Sequence, residues 1–305
     1  MIQKFSMSMY RTILTFLKII AVFGVAMMLN SCGTARLAYS NGETLSYWWL
    51  DGYVDFTPEQ SAVVKDELTA LFAWHRKTQL PDYIQWLRSA QSRMQRNVVS
   101  VTPVTLADLN RDSADIFQRL HRMTDQAAPA LADLARSLRP AQLTHLQKKF
   151  NSNNEKYRKE FMRGDVEERQ QKRFKKILEQ AEYWFGDFSA EQEATIRAAA
   201  NSRSVNPEWA LADRIRRQTA LITVLQRIQT EKTSREQSAR LIADYLKHDG
   251  DRGATPERKE FFERLQEANL QMTQVIINST TPAQRAKAVA RAQQWIDDFS
   301  ALARN

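Results

Sequence analysis

Asp51 and Asp55 flank Tyr53, and Glu59 follows close behind. Paired carboxylates of this kind can divide the acid and base roles of glycoside hydrolysis. In an exported protein the natural substrate would be peptidoglycan. The same residues have a plainer use. Asp55 stands just before Thr57-Pro58-Glu59-Gln60, a helix start, where a carboxylate suits the positive end of the helix dipole. Asp187 has the same place before Ser189-Ala190-Glu191-Gln192. The capping role is the expectation; Asp51 and Asp55 are the residues at which a cleavage activity would be sought.

Other chemistry is sparse. His75, His121, His145 and His248 are far apart and lack the paired spacing of a helical zinc site. There is no nucleophile elbow and no phosphate-binding glycine loop. No cofactor, no metal and no enzymatic activity are expected.

A basic tract crosses the middle of the chain, from Lys148 through Arg158, Lys159 and Arg169 to Lys176. Glu155, Glu160, Glu167 and Glu168 are interleaved, which suits i,i+4 pairing on a solvated helix. Positives outnumber these acids, so Lys172, Arg173, Lys175 and Lys176 stand as candidate anion-binding residues.

The one cysteine, Cys32, ends Leu29-Asn30-Ser31-Cys32-Gly33. Lys4, Arg11 and Lys18 precede a mostly apolar run from Ile19 to Leu29. That run is short of the about 20 residues that span a bilayer, and it has the parts of a secretory signal. The string resembles the lipobox of bacterial lipoproteins, in which the leader is cut before a lipid-bearing cysteine. The resemblance implies a signal peptide over 1–31, acyl chains, palmitate among them, at Cys32, and effectively permanent membrane anchoring. Gly33, where aspartate would favour inner-membrane retention, implies an outer-membrane lipoprotein facing the periplasm. Plain cleavage and an uncleaved anchor are the rival readings, and Met7 or Met9 are rival starts.

With no other cysteine, the chain must hold its core without disulfides. Only 8 glycines and 8 prolines in 305 residues, with 43% hydrophobic residues, favour helix throughout and argue against disorder. The net charge of +9 falls to +6 once Lys4, Arg11 and Lys18 are set aside. A basic envelope protein is drawn to lipid head groups, lipopolysaccharide phosphates or acidic polymers; nucleic acid is excluded by compartment.

The positioning elements are therefore helices. Thr57-Pro58-Glu59-Gln60, Ser189-Ala190-Glu191-Gln192 and Thr281-Pro282-Ala283-Gln284 are capping boxes, and Arg139-Pro140-Ala141-Gln142 is a version without the hydroxyl. Val63, Val64, Leu68, Leu71 and Phe72 make one apolar stripe; Leu106, Leu109, Ile116, Phe117, Leu120 and Met123 make another that should end before Pro129. Asn97 to Val104 reads as a connector, and Asp249 to Gly253 as a turn. Tyr47-Trp48-Trp49 precedes Asp55-Phe56, as Tyr183-Trp184-Phe185 precedes Asp187-Phe188. The echo predicts a tandem duplication, with an anchor and tether over 32–44, one half over 45–180 and the other over 181–305, packed as one bundle. It also predicts that Tyr47, Trp48, Trp49 and Tyr53 form a core; the alternative is a membrane-interface belt.

The string from Cys32 through Arg36-Leu37-Ala38-Tyr39 and Tyr47-Trp48-Trp49-Leu50-Asp51 to Tyr53-Val54-Asp55-Phe56-Thr57-Pro58-Glu59-Gln60 resembles a family of uncharacterised proteobacterial lipoproteins. That resemblance implies location and an all-helical fold, with no activity attached. Phe56-Thr57-Pro58-Glu59-Gln60 and Phe188-Ser189-Ala190-Glu191-Gln192 are also similar to the Leu-Thr-x-x-Gln motif of the periplasmic stress chaperones related to Spy and CpxP, with phenylalanine for leucine. The resulting expectation is a lipid-anchored, non-enzymatic multi-helix bundle that binds an envelope protein or anionic polymer. A holdase-like chaperone is the alternative, and a peptidoglycan-acting enzyme the third.

Overall fold

The computed structural model describes residues 34–100, 102–248 and 255–304, which are all-α with no strand. The leader, Cys32 and the turn expected at Asp249 to Gly253 lie outside the described residues.

Helices α1 (Thr34–Ser40) and α2 (Gly42–Val54) lead into α3 (Pro58–Trp74), which a π turn, His75–Gln79, joins to α4 (Leu80–Ser100). Next come α5 (Leu106–Ser137), α6 (Pro140–Phe161), α7 (Val166–Phe185) and α8 (Ala190–Asn201). The chain closes with α9 (Pro207–Thr230), α10 (Arg235–His248), α11 (Pro256–Ser279) and α12 (Pro282–Leu302).

The capping boxes form as written. Thr57, Ser189 and Thr281 accept the amides of Gln60, Gln192 and Gln284, whose side chains return to the cap amides. Where Arg139 lacks a cap hydroxyl, the side-chain oxygen of Gln142 still accepts the Arg139 amide at 2.9 Å.

Three boundaries differ from expectation. Helix α5 does not stop before Pro129 but carries it inside. Pro129 is exposed, where water can replace the bond its ring nitrogen cannot give, while Ala128, Ala132 and Ala135 are buried. Residues 97–100 of the expected connector continue α4, because β-branched residues cost a helix little. Residues 34–44, expected as a tether, are helical except at Asn41, and Arg36 Nε meets Asp298 Oδ1 on α12 at 2.6 Å.

Two apolar clusters fill the bundle. Ala132, Ala135, Leu143, Phe150, Ile228 and Ile242 join α5, α6, α9 and α10. Phe174, Phe185, Ile196, Ala200, Ile276 and Ala288 join α7, α8, α11 and α12. The small alanines of α5 let α10 lie close along it, and α12 lies along α4. Helices from the second half of the chain thus cover helices of the first. Each fully buried leucine, isoleucine or phenylalanine contributes roughly 1.5–3 kcal/mol.

Candidate functional site

The corner between α2 and α3 shows what Asp51 and Asp55 do. The Asp51 carboxylate accepts the Phe56 amide at 2.9 Å, closing the turn after α2. Asp55 takes the left-handed conformation, φ 58°, that ends α2, and its carbonyl accepts Gln142 Nε2 at 2.9 Å. Aspartate tolerates this conformation better than most residues because its short side chain bonds locally. The arrangement does structural work, with both residues serving the backbone.

The glutamines complete that corner. Gln60 Nε2 donates to the Ser137 carbonyl at 2.9 Å, and Gln142 Nε2 donates to Gln60 Oε1 at 2.7 Å. The same geometry recurs at the corner between α7 and α8. Gln192 Nε2 donates to the Ser279 carbonyl at 2.7 Å and to Gln284 Oε1 at 2.8 Å, while Gln284 Nε2 donates to the Asp187 carbonyl at 2.7 Å.

Beside the first corner, α3 and α5 diverge and leave an open cavity of about 430 Å³. Val63, Val64, Leu68 and Leu71 line it from α3, Leu131 and Leu134 from α5, and Leu50 from α2. Its charged lining residues are Glu59, Glu67 and Asp133, all acidic. The Thr57 hydroxyl holds the Glu59 carboxyl below the ordinary carboxylate range, which keeps it charged. Asp133 is bonded by Arg235 at 2.8 Å; Glu59 and Glu67 are exposed. The α3 stripe expected to be core is therefore divided. Val64 and Leu68 are buried, but Val63 is 56% exposed in the groove. The α5 stripe divides likewise, with Leu109 buried and Ile116, Phe117 and Leu120 exposed on the helical face that runs on to the groove.

The aromatic core expected at Tyr47, Trp48, Trp49 and Tyr53 is only half present. Tyr53 packs on the first cluster, its ring 6.1 Å from Phe150, and Tyr47 Oη donates to Ser61 Oγ. Trp48 and Trp49 are 64% and 63% exposed, with Leu45 on the same helical face and also exposed. Lys65 Nζ sits over the Tyr47 ring at 4.6 Å and Lys149 Nζ over the Tyr53 ring at 5.5 Å. The echo paired the wrong aromatics. Counted from the Asp-Phe pair, Tyr53 stands where Phe185 does, Trp49 where the buried Ala181 does and Trp48 where Gln180 does, so neither tryptophan has an aromatic counterpart.

On α7, the four candidate cations have different surroundings. Lys176 Nζ binds Glu160 at 2.6 Å, and Lys175 Nζ is 4.0 Å from Glu179. Lys172 is exposed, whereas Arg173 is half-buried beside Arg169. Sequence reasoning saw a basic tract; it missed which face of α7 turns inward.

The three histidines whose side chains are described remain separate. His75 Nδ1 is 2.7 Å from Tyr39 Oη, His145 faces the Gly52 carbonyl at 3.4 Å, and His121 is exposed. Among the described residues, no group of three or more His, Cys, Asp or Glu side chains converges on a metal-sized site, and no helix is long and apolar enough to cross a membrane.

Residues 52–248 match a family of unknown function, DUF6279. No curated protein and no solved structure matches the chain. The matched stretch starts at Gly52, so it takes in Gln60, Gln142 and the groove residues of α3 and α5, and it covers more than half of the protein. The chain belongs to the DUF6279 family of unknown function.

Proposed function

We propose that this protein is a lipid-anchored, non-enzymatic binding protein of the bacterial envelope. It is tethered through Cys32 to the periplasmic face of the outer membrane and holds an apolar partner segment bearing lysine or arginine. The groove between α3 and α5 carries this reading. A chain with 44 basic and 35 acidic residues has lined an apolar cavity with acids alone. An apolar strip with Glu59 and Glu67 at its edge suits an amphipathic basic helix laid along it.

The exposed Trp48 and Trp49 support the anchoring part. They follow Cys32 closely in sequence, and Lys65 and Lys149 sit over the rings of Tyr47 and Tyr53 on the same helix, an arrangement suited to an anionic lipid interface. The holdase alternative draws on the same groove, because Ile116, Phe117 and Leu120 extend its apolar strip along α5.

The matched corners support an internal duplication, in which Asp55, Gln60, Ser137 and Gln142 correspond to Asp187, Gln192, Ser279 and Gln284. They also give the likeness to the Spy and CpxP motif a local cause, since Gln60 and Gln192 are needed to bond the corners.

A photo-crosslinking residue placed at Val63 in cells tests the groove. One or a few crosslinked bands is the expected result, and Glu67→Lys should weaken them. A smear of many clients would favour the holdase. No crosslink from Val63, with a control position equally silent, would remove the binding role from the groove.

A further inference from the structure

Along α5, Ile116, Leu120, Met123, Ala127, Ala130 and Leu134 recur at alternating steps of four and three. That spacing makes the seam of a coiled coil. Ile116 and Leu120 are 43% and 53% exposed, and Ala127, Ala130 and Leu134 line the open groove. In the second half the matching space is closed from within. Counted from the two glutamine corners, Leu71 and Ala127 stand where Arg203 and Asn269 do, and there Arg203 Nη1 donates to Asn269 Oδ1 at 2.6 Å.

The seam is complementary to itself. A two-fold axis between Met123 and Ala127 lays a second α5 antiparallel on the first. Ile116 then faces Leu134, Leu120 faces Ala130 and Met123 faces Ala127. Every seam residue meets a seam residue, and in two of the three layers a long side chain meets an alanine. The bulky end of each strip thus enters the end where small residues leave the cavity of about 430 Å³.

The charges agree with this register. The run from α3 through the π turn to α4 lies antiparallel along α5, meeting it at Gln60 with Ser137, Asp82 with Arg119 and Arg93 with Asp112. Glu67 is two helical turns beyond Gln60 and so lies about level with Ala130. Leu120 of the second copy arrives at that level, with its Arg119 and Arg122. Both arginines project toward α4, where they share one carboxylate, Asp82, at 2.9 and 3.3 Å. The two-fold keeps that side of α5 common to both copies, so surplus positive charge meets the exposed Glu67. We propose that the occupant of the groove is a second copy of this chain, held as an antiparallel dimer through α5. This rests on reading the groove as a binding site and names its partner.

The test uses the purified full chain with Cys32→Ser, which removes the lipid and the native thiol. It should sediment at twice the monomer mass. Leu120→Glu should raise the dissociation constant at least about a hundredfold, because it carries a charge into the seam. Its circular dichroism should not change, since Leu120 is exposed in the single chain. Glu67→Arg and Arg122→Glu should each weaken the dimer about tenfold, and the two together should restore it. Leu120→Cys with Ala130→Cys should oxidise to a covalent dimer, because those positions are about 15 Å apart within one helix. Leu120→Cys alone should not. The proposal is overturned if the wild type stays a monomer throughout the ultracentrifuge's concentration range, if Leu120→Glu leaves the dimer intact, or if Leu120→Cys alone bridges. A photo-crosslinking residue at Leu120 in cells separates this proposal from the groove reading. A product at twice the monomer mass supports the dimer. A product with another protein overturns the dimer and leaves the groove its binding role, and silence at both Leu120 and Val63 removes both.

Discussion

Gln60 and Gln142 hydrogen-bond to each other although 82 positions separate them, with Gln142 Nε2 donating to Gln60 Oε1 at 2.7 Å. Each is the third residue of its helix and closes that helix's capping box with its side-chain oxygen. Each uses its side-chain nitrogen to reach the corner opposite, Gln60 to the Ser137 carbonyl and Gln142 to the Asp55 carbonyl. A glutamate at either position would keep the cap and lose both donors, so the amide is what the corner requires.

Replacing Gln60 by alanine should cost about 1–3 kcal/mol, since it strands the buried side-chain amide of Gln142 and removes the bond to the Ser137 carbonyl. Gln142→Ala should cost a similar amount, and the double variant less than the two together, with a coupling of about 1 kcal/mol. Urea denaturation of the four proteins measures this. Simple additivity would mean that the two glutamines act only as separate caps. The same cycle on Gln192 and Gln284 should give a matching coupling if the two corners are equivalent.

The caps at Thr57, Ser189 and Thr281 were legible because a helix start is written within four residues. That the cap glutamines pair across the chain was not, because the partner is set by packing of helices distant in sequence. Pro129 misled for the same kind of reason. Local chemistry says stop, but Ala128, Ala132 and Ala135 pack against α10, and that burial carries the helix past the proline. The tryptophans were misplaced because the aromatic echo was matched by type rather than by distance from Asp55 and Asp187. The groove between α3 and α5 had no sequence signal beyond stripes that looked like ordinary core. Arg173 was visible as part of a tract, but nothing in the tract says that it is half-buried while Lys172 is exposed.

Trp48 adds little to the fold and much to the proposed interface. At 64% exposure its replacement by alanine should change stability by less than about 0.5 kcal/mol. With vesicles containing phosphatidylglycerol, tryptophan emission of the unlipidated protein should shift to the blue, and Trp48→Ala with Trp49→Ala should abolish most of the shift. Lys65→Gln and Lys149→Gln should make vesicle binding weaker and less dependent on salt. An unchanged emission spectrum in the wild type would remove the α2 face from the membrane.

The π turn between α3 and α4 gives the protein a pH response through His75. Tyr39 Oη lies 2.7 Å from His75 Nδ1, and the hydroxyl can donate there only while that nitrogen is unprotonated. Burial is the larger cause holding the His75 imidazole below its ordinary value of 6.5, and the charge of Arg76 beside it lowers it further. The Tyr83 ring packs edge-on from α4, 5.4 Å away, and offers no negative charge to stabilise imidazolium. The unfolded chain therefore takes up a proton near pH 6.5, while the folded chain resists until the pH is lower. The stability linked to His75 is full above about pH 7.5 and is lost as the pH falls through 6.5 to the folded value. His75→Gln keeps an acceptor for Tyr39 and has nothing to titrate, so its melting temperature should fall less than that of the wild type between pH 7.5 and 5.5. Parallel melting curves for the two proteins over that range would show that His75 does not carry the response.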